Sequence, residues 1–162
     1  PTFYGGISNN FSYKRFNLSF FLQFTKQLGR DWRTNNLYNP PGSTFNVPEL
    51  ALSRWQNPGD ITDVQKFTTT QGAIYGTAGF YPYSFSSGAY TDASYIRLRN
   101  VYLSYDIPVK WLSVVHINSC KFYVQGQNLF VISGYKGGDP ETQNYTRMSP
   151  LRTITGGLQL TL

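Results

Sequence analysis

The sequence predicts an all-β chain of long antiparallel strands, and three observations carry that reading. Five segments alternate between apolar and polar residues with a period of two, Gly and Asn punctuate them, and the connections between them run short, long, short, long. The composition agrees. Only 14% of the 162 residues are charged while 17% are aromatic, with 13 Tyr and 15 Gly, the reverse of a disordered chain.

Each strand has its own justification. From Phe3 to Tyr13, Phe3, Ile7, Phe11 and Tyr13 share a face opposite Ser8, Asn10 and Ser12, and Asn9 interrupts the apolar side. The segment from Phe16 to Gln27 is the most regular: Phe16, Leu18, Phe20, Leu22 and Phe24 oppose Asn17, Ser19, Phe21, Gln23 and Thr25, with Phe21 alone out of place. Lys14 and Arg15 join these two. Residues 28–93 follow as one long connection rich in Pro and in Gly, Ser and Thr, expected to be a folded, functional surface loop.

The third strand, Ser94 to Ile107, sets Val101, Leu103, Tyr105 and Ile107 against Asn100, Tyr102, Ser104 and Asp106. After a connection opening at Pro108, the fourth runs from Lys121 to Ile132, with Phe122, Val124, Phe130 and Ile132 opposite Lys121, Tyr123, Gln125 and Gln127. Gly137-Gly138-Asp139-Pro140 then reads as turn chemistry. In the fifth, from Leu151 to Leu162, Ile154, Leu158, Leu160 and Leu162 oppose Thr153, Thr155, Gln159 and Thr161.

Alternation does not say which face points inward, but strand length bears on it. About 11 residues rising ~3.3 Å each and tilted by ~40° span roughly 27 Å, close to the ~25 Å apolar band of an outer-membrane barrel. Strands of soluble sandwiches are about half as long. Short turns on one side and long loops on the other are also the habit of such barrels. Continued through the third strand, the odd-numbered phase puts Arg97 and Arg99 on the apolar side. The cations Lys26, Arg97, Arg99 and Arg152 then gather at the long-loop ends of the apolar faces. Either these are solvated strand ends or they form a cationic ring beside outer-leaflet phosphates.

Several functions are disfavoured. The net charge of +6 is scattered, without the dedicated patch that nucleic acid requires. One cysteine, Cys120, and one histidine, His116, offer no internal disulfide, no zinc cluster and no His-centred catalytic pair. Asp60 and Asp63 have no base or nucleophile beside them and fall far short of a calcium loop, so they read as turn residues. The chain is expected to be no enzyme and to hold no metal or cofactor. Trp111, beside Pro108, suits a membrane interface.

Specific stretches carry a resemblance. DASYIRLRNVYLSYDIP (Asp92 to Pro108), KFYVQGQNLFVISGYKGGDPE (Lys121 to Glu141) and PLRTITGGLQLTL (Pro150 to Leu162) resemble the carboxy-terminal end of the SusC/RagA-like TonB-dependent transporters of the Bacteroidetes outer membrane. FYGGISNNFSYKRFNLSFFLQF and RWQNPGDITDVQKF (Arg54 to Phe67) are similar to that family too, in the family's order. Leu162 departs from it, since such chains commonly end in an aromatic residue.

The resemblance implies that residues 1–162 are a carboxy-terminal segment of a 22-stranded transmembrane barrel, with 28–93 as an extracellular loop and a plug domain outside this sequence. It implies the bacterial outer membrane, and TonB-driven import of nutrient oligomers, either glycans or peptides. The implied partners are the remaining amino-terminal strands and plug, a SusD-like surface lipoprotein, TonB through the amino-terminal part, and outer-membrane lipid and lipopolysaccharide. Leu18, Phe20, Leu22, Val124, Leu158 and Leu160 would face lipid; Asn17, Gln23, Tyr123, Gln125, Gln127 and Gln159 would face a watery lumen. Trp32, Trp55, Tyr81 and Tyr83 are candidate contacts for ligand or partner in the long loop. The alternative is a secreted β-sandwich module that binds carbohydrate on Trp32, Trp55, Tyr38, Tyr81 and Tyr83.

Overall fold

A computed structural model describes residues 1–36, 46–64, 66–67, 85–112, 117–144 and 147–161. One antiparallel sheet dominates it. Its strands are β1 (Phe3–Tyr13), β2 (Phe16–Lys26), β5 (Tyr95–Asp106), β6 (Ser119–Ser133) and β7 (Thr153–Thr161), each paired with the next in that order. These are the five segments that alternation picked out, with ends moved by one or two residues. Lys14, in the hairpin between β1 and β2, takes a left-handed φ of 55°. Tight two-residue turns require such values.

The long connection has structure of its own. Directly after β2 comes β3 (Leu28–Arg30), and directly before β5 comes β4 (Tyr90–Asp92); the two pair antiparallel and carry the β2–β5 hairpin outward. Gln27 and Ala93 bridge the step, the Ala93 N–H donating to the Gln27 carbonyl at 3.0 Å. Beyond β3 lie the short helix α1 (Trp32–Asn36) and a 3-10 turn at Glu49–Ser53. Ala51 and Val64 form a small buried core there, backed by Val47, Leu50 and Phe67. At the opposite end, α2 (Val109–Leu112) buries Leu112 and leaves Trp111 exposed.

The register assigns every sheet residue to a face. One face collects Phe3, Ile7, Phe11, Phe16, Leu18, Phe20, Leu22, Leu98, Val101, Leu103, Phe122, Val124, Phe130, Ile154, Leu158 and Leu160 through direct cross-strand pairs. No described element covers it, and large apolar side chains stand bare, Ile7 at 53%, Leu158 at 63% and Ile154 at 74% exposure. A soluble sandwich buries such a face against a second sheet. The described residues provide no second layer over it.

On the other face the out-of-phase Phe21 has a use: its ring lies across Gly6, where an added Cβ would come within 2.4 Å. Tyr123 covers Gly157 in the same way and stacks on Tyr102 with ring centres 5.8 Å apart. Glycine facing a cross-strand ring gives the ring a flat seat that no other residue allows.

Candidate functional site

The polar face is organised by a bulge that extended alternation does not anticipate. Phe21 and Leu22 are consecutive in β2, yet their β5 partners are Asn100 and Leu98, so Arg99 is an extra residue. In β6 the partners of Asn100 and Leu98 are Gln127 and Phe130, so two residues, Asn128 and Leu129, intervene. Asn128 accommodates this with φ of 52°, a left-handed conformation that Asn tolerates better than most side chains.

The consequence is a change of phase in β5. Leu98 joins the apolar face, and Arg97, expected there, pairs across the polar face with Gln23 and Val131. Arg99 also reaches the polar side, its Nε donating to Gln23 Oε1 at 2.5 Å. Neither arginine contributes to a cationic ring on the apolar face. Lys26 remains there, and its ammonium pairs with Asp92 at 2.6 Å.

The two arginines hold down the loop that follows β6. Arg97 Nη2 meets Asp139 Oδ2 at 2.5 Å, with side-chain exposures of 3% and 4%. Arg97 Nε lies 3.2 Å from Glu141 Oε2, an ion-pair distance at an angle that forms no hydrogen bond, so both atoms lack a hydrogen-bond partner. Glu141 Oε1 accepts from Arg99 Nη2. Arg97 also lies over the ring of Tyr95, 5.6 Å from its centre. Residues 134–143 thus form a strap fastened to the wall.

Local sequence shapes the strap. Gly137 and Gly138 take φ of 90° and 140°, values open to glycine and strained for other residues. Asp139 then closes the turn: its Oδ1 accepts the N–H groups of Glu141 at 3.0 Å and Thr142 at 3.2 Å. Burial raises the Asp139 carboxyl, but the hydrogen bond from Arg97, the Thr142 N–H and the guanidinium charge outweigh it and hold it below the usual carboxylate value. Gln27 Nε2 donates to the Pro140 carbonyl at 2.8 Å and the Tyr135 hydroxyl to the Arg30 carbonyl at 2.6 Å, so strap and β3 are locked together.

The expected lumen set lies on this face. Asn17, Gln23, Tyr123, Gln125, Gln127 and Gln159 all fall there, while Leu18, Phe20, Leu22, Val124, Leu158 and Leu160 fall on the other. Near α2 a second polar chain crosses four strands: Ser12 donates to Asn17, Asn17 to Asp106 at 3.2 Å, and Lys121 lies 3.6 Å from Asp106.

The loop candidates behave differently from one another. Trp32 lies in α1, next to Asp31 and Arg33. Trp55 is half-buried with the Lys66 ammonium 5.7 Å from its ring centre. Tyr38, Tyr81, Tyr83, His116 and Leu162 lie outside the described residues. Asp60 is a turn residue, accepting the N–H groups of Gln56 and Asn57, which hold its carboxyl below the usual value. Asp63 lies in a bend and pairs with Arg33 at 3.2 Å. Arg33 also grips Asp31 at 2.7 Å. Cys120 is a buried free thiol in β6, and the described residues contain no cluster able to hold a metal.

Comparison with protein-family models finds no match. Two curated proteins of Formosa agariphila are similar to the chain: TonB-dependent receptor P3, 28% identical over 155 residues, and TonB-dependent receptor P26, 29% identical over 150. The matches cover 96% and 91% of this chain, which spans 14% of each relative's length. Among solved structures, the RagAB peptide importer in its open-open state superposes with a TM-score of 0.71 at 23% identity, covering 98% of this chain and 17% of that one. The closed-closed state gives the same TM-score with 97% of this chain covered. The antiparallel wall with its uncovered apolar face therefore has the fold of a stretch of the RagA barrel, and over nearly its whole length the chain is similar to TonB-dependent receptors.

Proposed function

We propose that the chain is part of the wall of an outer-membrane importer that takes up nutrient oligomers with energy from TonB. One observation carries this reading: a long-stranded sheet keeps its apolar face uncovered and sets its glutamines and the Arg97–Asp139 ion pair on the other side. Such a sheet is stable where the apolar face meets hydrocarbon and the polar face meets water. The lipid-facing set is Leu18, Phe20, Leu22, Val124, Leu158 and Leu160; Asn17, Gln23, Tyr123, Gln125, Gln127 and Gln159 line the passage.

Residues 28–93 and the strap stand at the extracellular mouth, and Trp111 at the periplasmic interface. The outer edges of β1 and β7 are unpaired among the described residues. In a membrane each must find a strand, so the remaining strands and the plug belong to the rest of the receptor. A SusD-like lipoprotein over the mouth, TonB, and surrounding lipid and lipopolysaccharide complete the assembly.

Single-cysteine variants of the complete receptor, made in a Cys120→Ala background, test the orientation. An aqueous thiol reagent should label cysteines at 125, 127 and 159 and spare those at 20, 124 and 158. Labelling of the second set alone would sink the reading. Protease added to intact cells should cut within 28–93 and spare 108–119.

A further inference from the structure

At the long-loop end of the apolar face lies a recess of about 370 Å³ to which the import reading gives no role. Phe24, Ile96 and Ile132 stand in one cross-strand row through β2, β5 and β6, and Phe3 pairs with Lys26 in the next row. Phe3 and Phe24 meet edge to face with ring centres 6.3 Å apart. Ser94, two residues before Ile96, is small and leaves the hollow open. The apolar body has a charged rim. There the Lys26 ammonium donates to Asp92 Oδ2 at 2.6 Å, and the Ser94 N–H donates to Asp92 Oδ1 at 2.8 Å. The hydrogen bonds from Lys26 and Ser94 hold the Asp92 carboxyl well below the usual carboxylate range, so the rim carries one positive and one negative charge at neutral pH. Both side chains are exposed. An ammonium has three donors and each carboxylate oxygen two acceptor positions, so neither group saturates the other.

We infer that this recess seats an acyl chain of a phosphoethanolamine phospholipid, with the lipid's phosphate at Lys26 and its ammonium at Asp92. The inference rests on the import reading, which puts this face in hydrocarbon, and names the lipid that this part of the wall selects. Any apolar face is wetted by hydrocarbon, but a recess touches a chain on several sides where a flat wall touches one. The rim supplies the choice of headgroup. A phosphoglycerol headgroup brings a negative charge alone, which Asp92 repels. A phosphocholine headgroup carries both charges, but its quaternary nitrogen has no N–H to give the carboxylate. Phosphoethanolamine matches both charges and donates charge-assisted hydrogen bonds to Asp92.

The test is native mass spectrometry of the complete receptor in detergent, titrated with equal amounts of palmitoyl-oleoyl phosphatidylethanolamine, phosphatidylglycerol and phosphatidylcholine. Phosphatidylethanolamine should be retained about 3-fold more than either of the others. Lys26→Gln with Asp92→Asn should erase that preference. Ile132→Trp, which fills the recess, should lower the retention of all three lipids. These three side chains are exposed, so the fold should survive, as unchanged heat-modifiability on a gel would verify. Equal retention of the three lipids, a preference for phosphatidylglycerol or phosphatidylcholine, a preference that survives the double variant, or retention untouched by Ile132→Trp would overturn the inference. A receptor that lacks the preference while its cysteines at 20, 124 and 158 resist the aqueous reagent sinks this inference alone; labelling of those cysteines sinks both.

Discussion

The two ends of the polar face use the same chemistry with opposite degrees of burial. At the strap, Arg97 and Asp139 are 3% and 4% exposed; near α2, Lys121 and Asp106 are 38% and 49% exposed. Exposed pairs contribute under about 1 kcal/mol. In a buried pair, removing one partner costs about 3–5 kcal/mol, because the other is left charged and dry. Ion pairs on the polar face therefore matter when a loop covers them. The strap turns two wall arginines into a structural joint.

The strongest way to break the contrast is to remove both arginines. Arg97→Leu with Arg99→Leu leaves Asp139 and Glu141 in the strap without a guanidinium, a larger loss than either single change. Complete receptor carrying both changes should largely lose its heat-modifiable band on gels, and normal assembly would refute the role given to the two arginines.

Next in size is Arg97→Leu, which strands Asp139 and should destabilise the receptor by about 3–5 kcal/mol in denaturant titrations. The double variant Arg97→Leu with Asp139→Leu should recover most of that loss. If the double variant is as unstable as the single, the pair is not what holds the strap.

Acid sharpens the same comparison. Asp139 has a folded pKa below its ordinary 3.8. Its stabilisation is thus fully present above the unfolded value and is lost as pH falls through the lower, folded value. The strap should resist pepsin near pH 4 and become cleavable as the pH is lowered further. Asp139→Asn should already be cleavable at pH 4. The smallest effect belongs to the open end: Lys121→Ala should change stability by less than about 1 kcal/mol.

The strands and their faces were legible because a half-covered sheet imposes a period of two on its residues. Leu18, Phe20 and Leu22 follow it without a break, as do Phe122 and Val124. The joint was not legible by extending the odd-numbered phase of Val101, Leu103 and Tyr105 back to Arg97 and Arg99. A signal existed: Ile96 and Leu98 are even-numbered, so the apolar phase slips once between Leu98 and Val101. In β6 the intervening pair of residues preserves the phase from Phe122 to Phe130 and hides the irregularity entirely. Asp139 read as a turn residue, which it is. Its second role depends on a partner 42 positions away, beyond the reach of local pattern.

The bulge also changes how the strands are staggered along the wall. Between matched ladder pairs it inserts no residue in β2, one in β5 and two in β6. At ~3.3 Å per residue, β6 gains about 7 Å of contour over β2 at that level. The stagger between strands therefore differs above and below the bulge, and in a closed wall stagger, tilt and diameter are tied together. The geometry of the wall at the strap is thus set separately from that beside α2, by a single irregular step in the hydrogen-bond ladder.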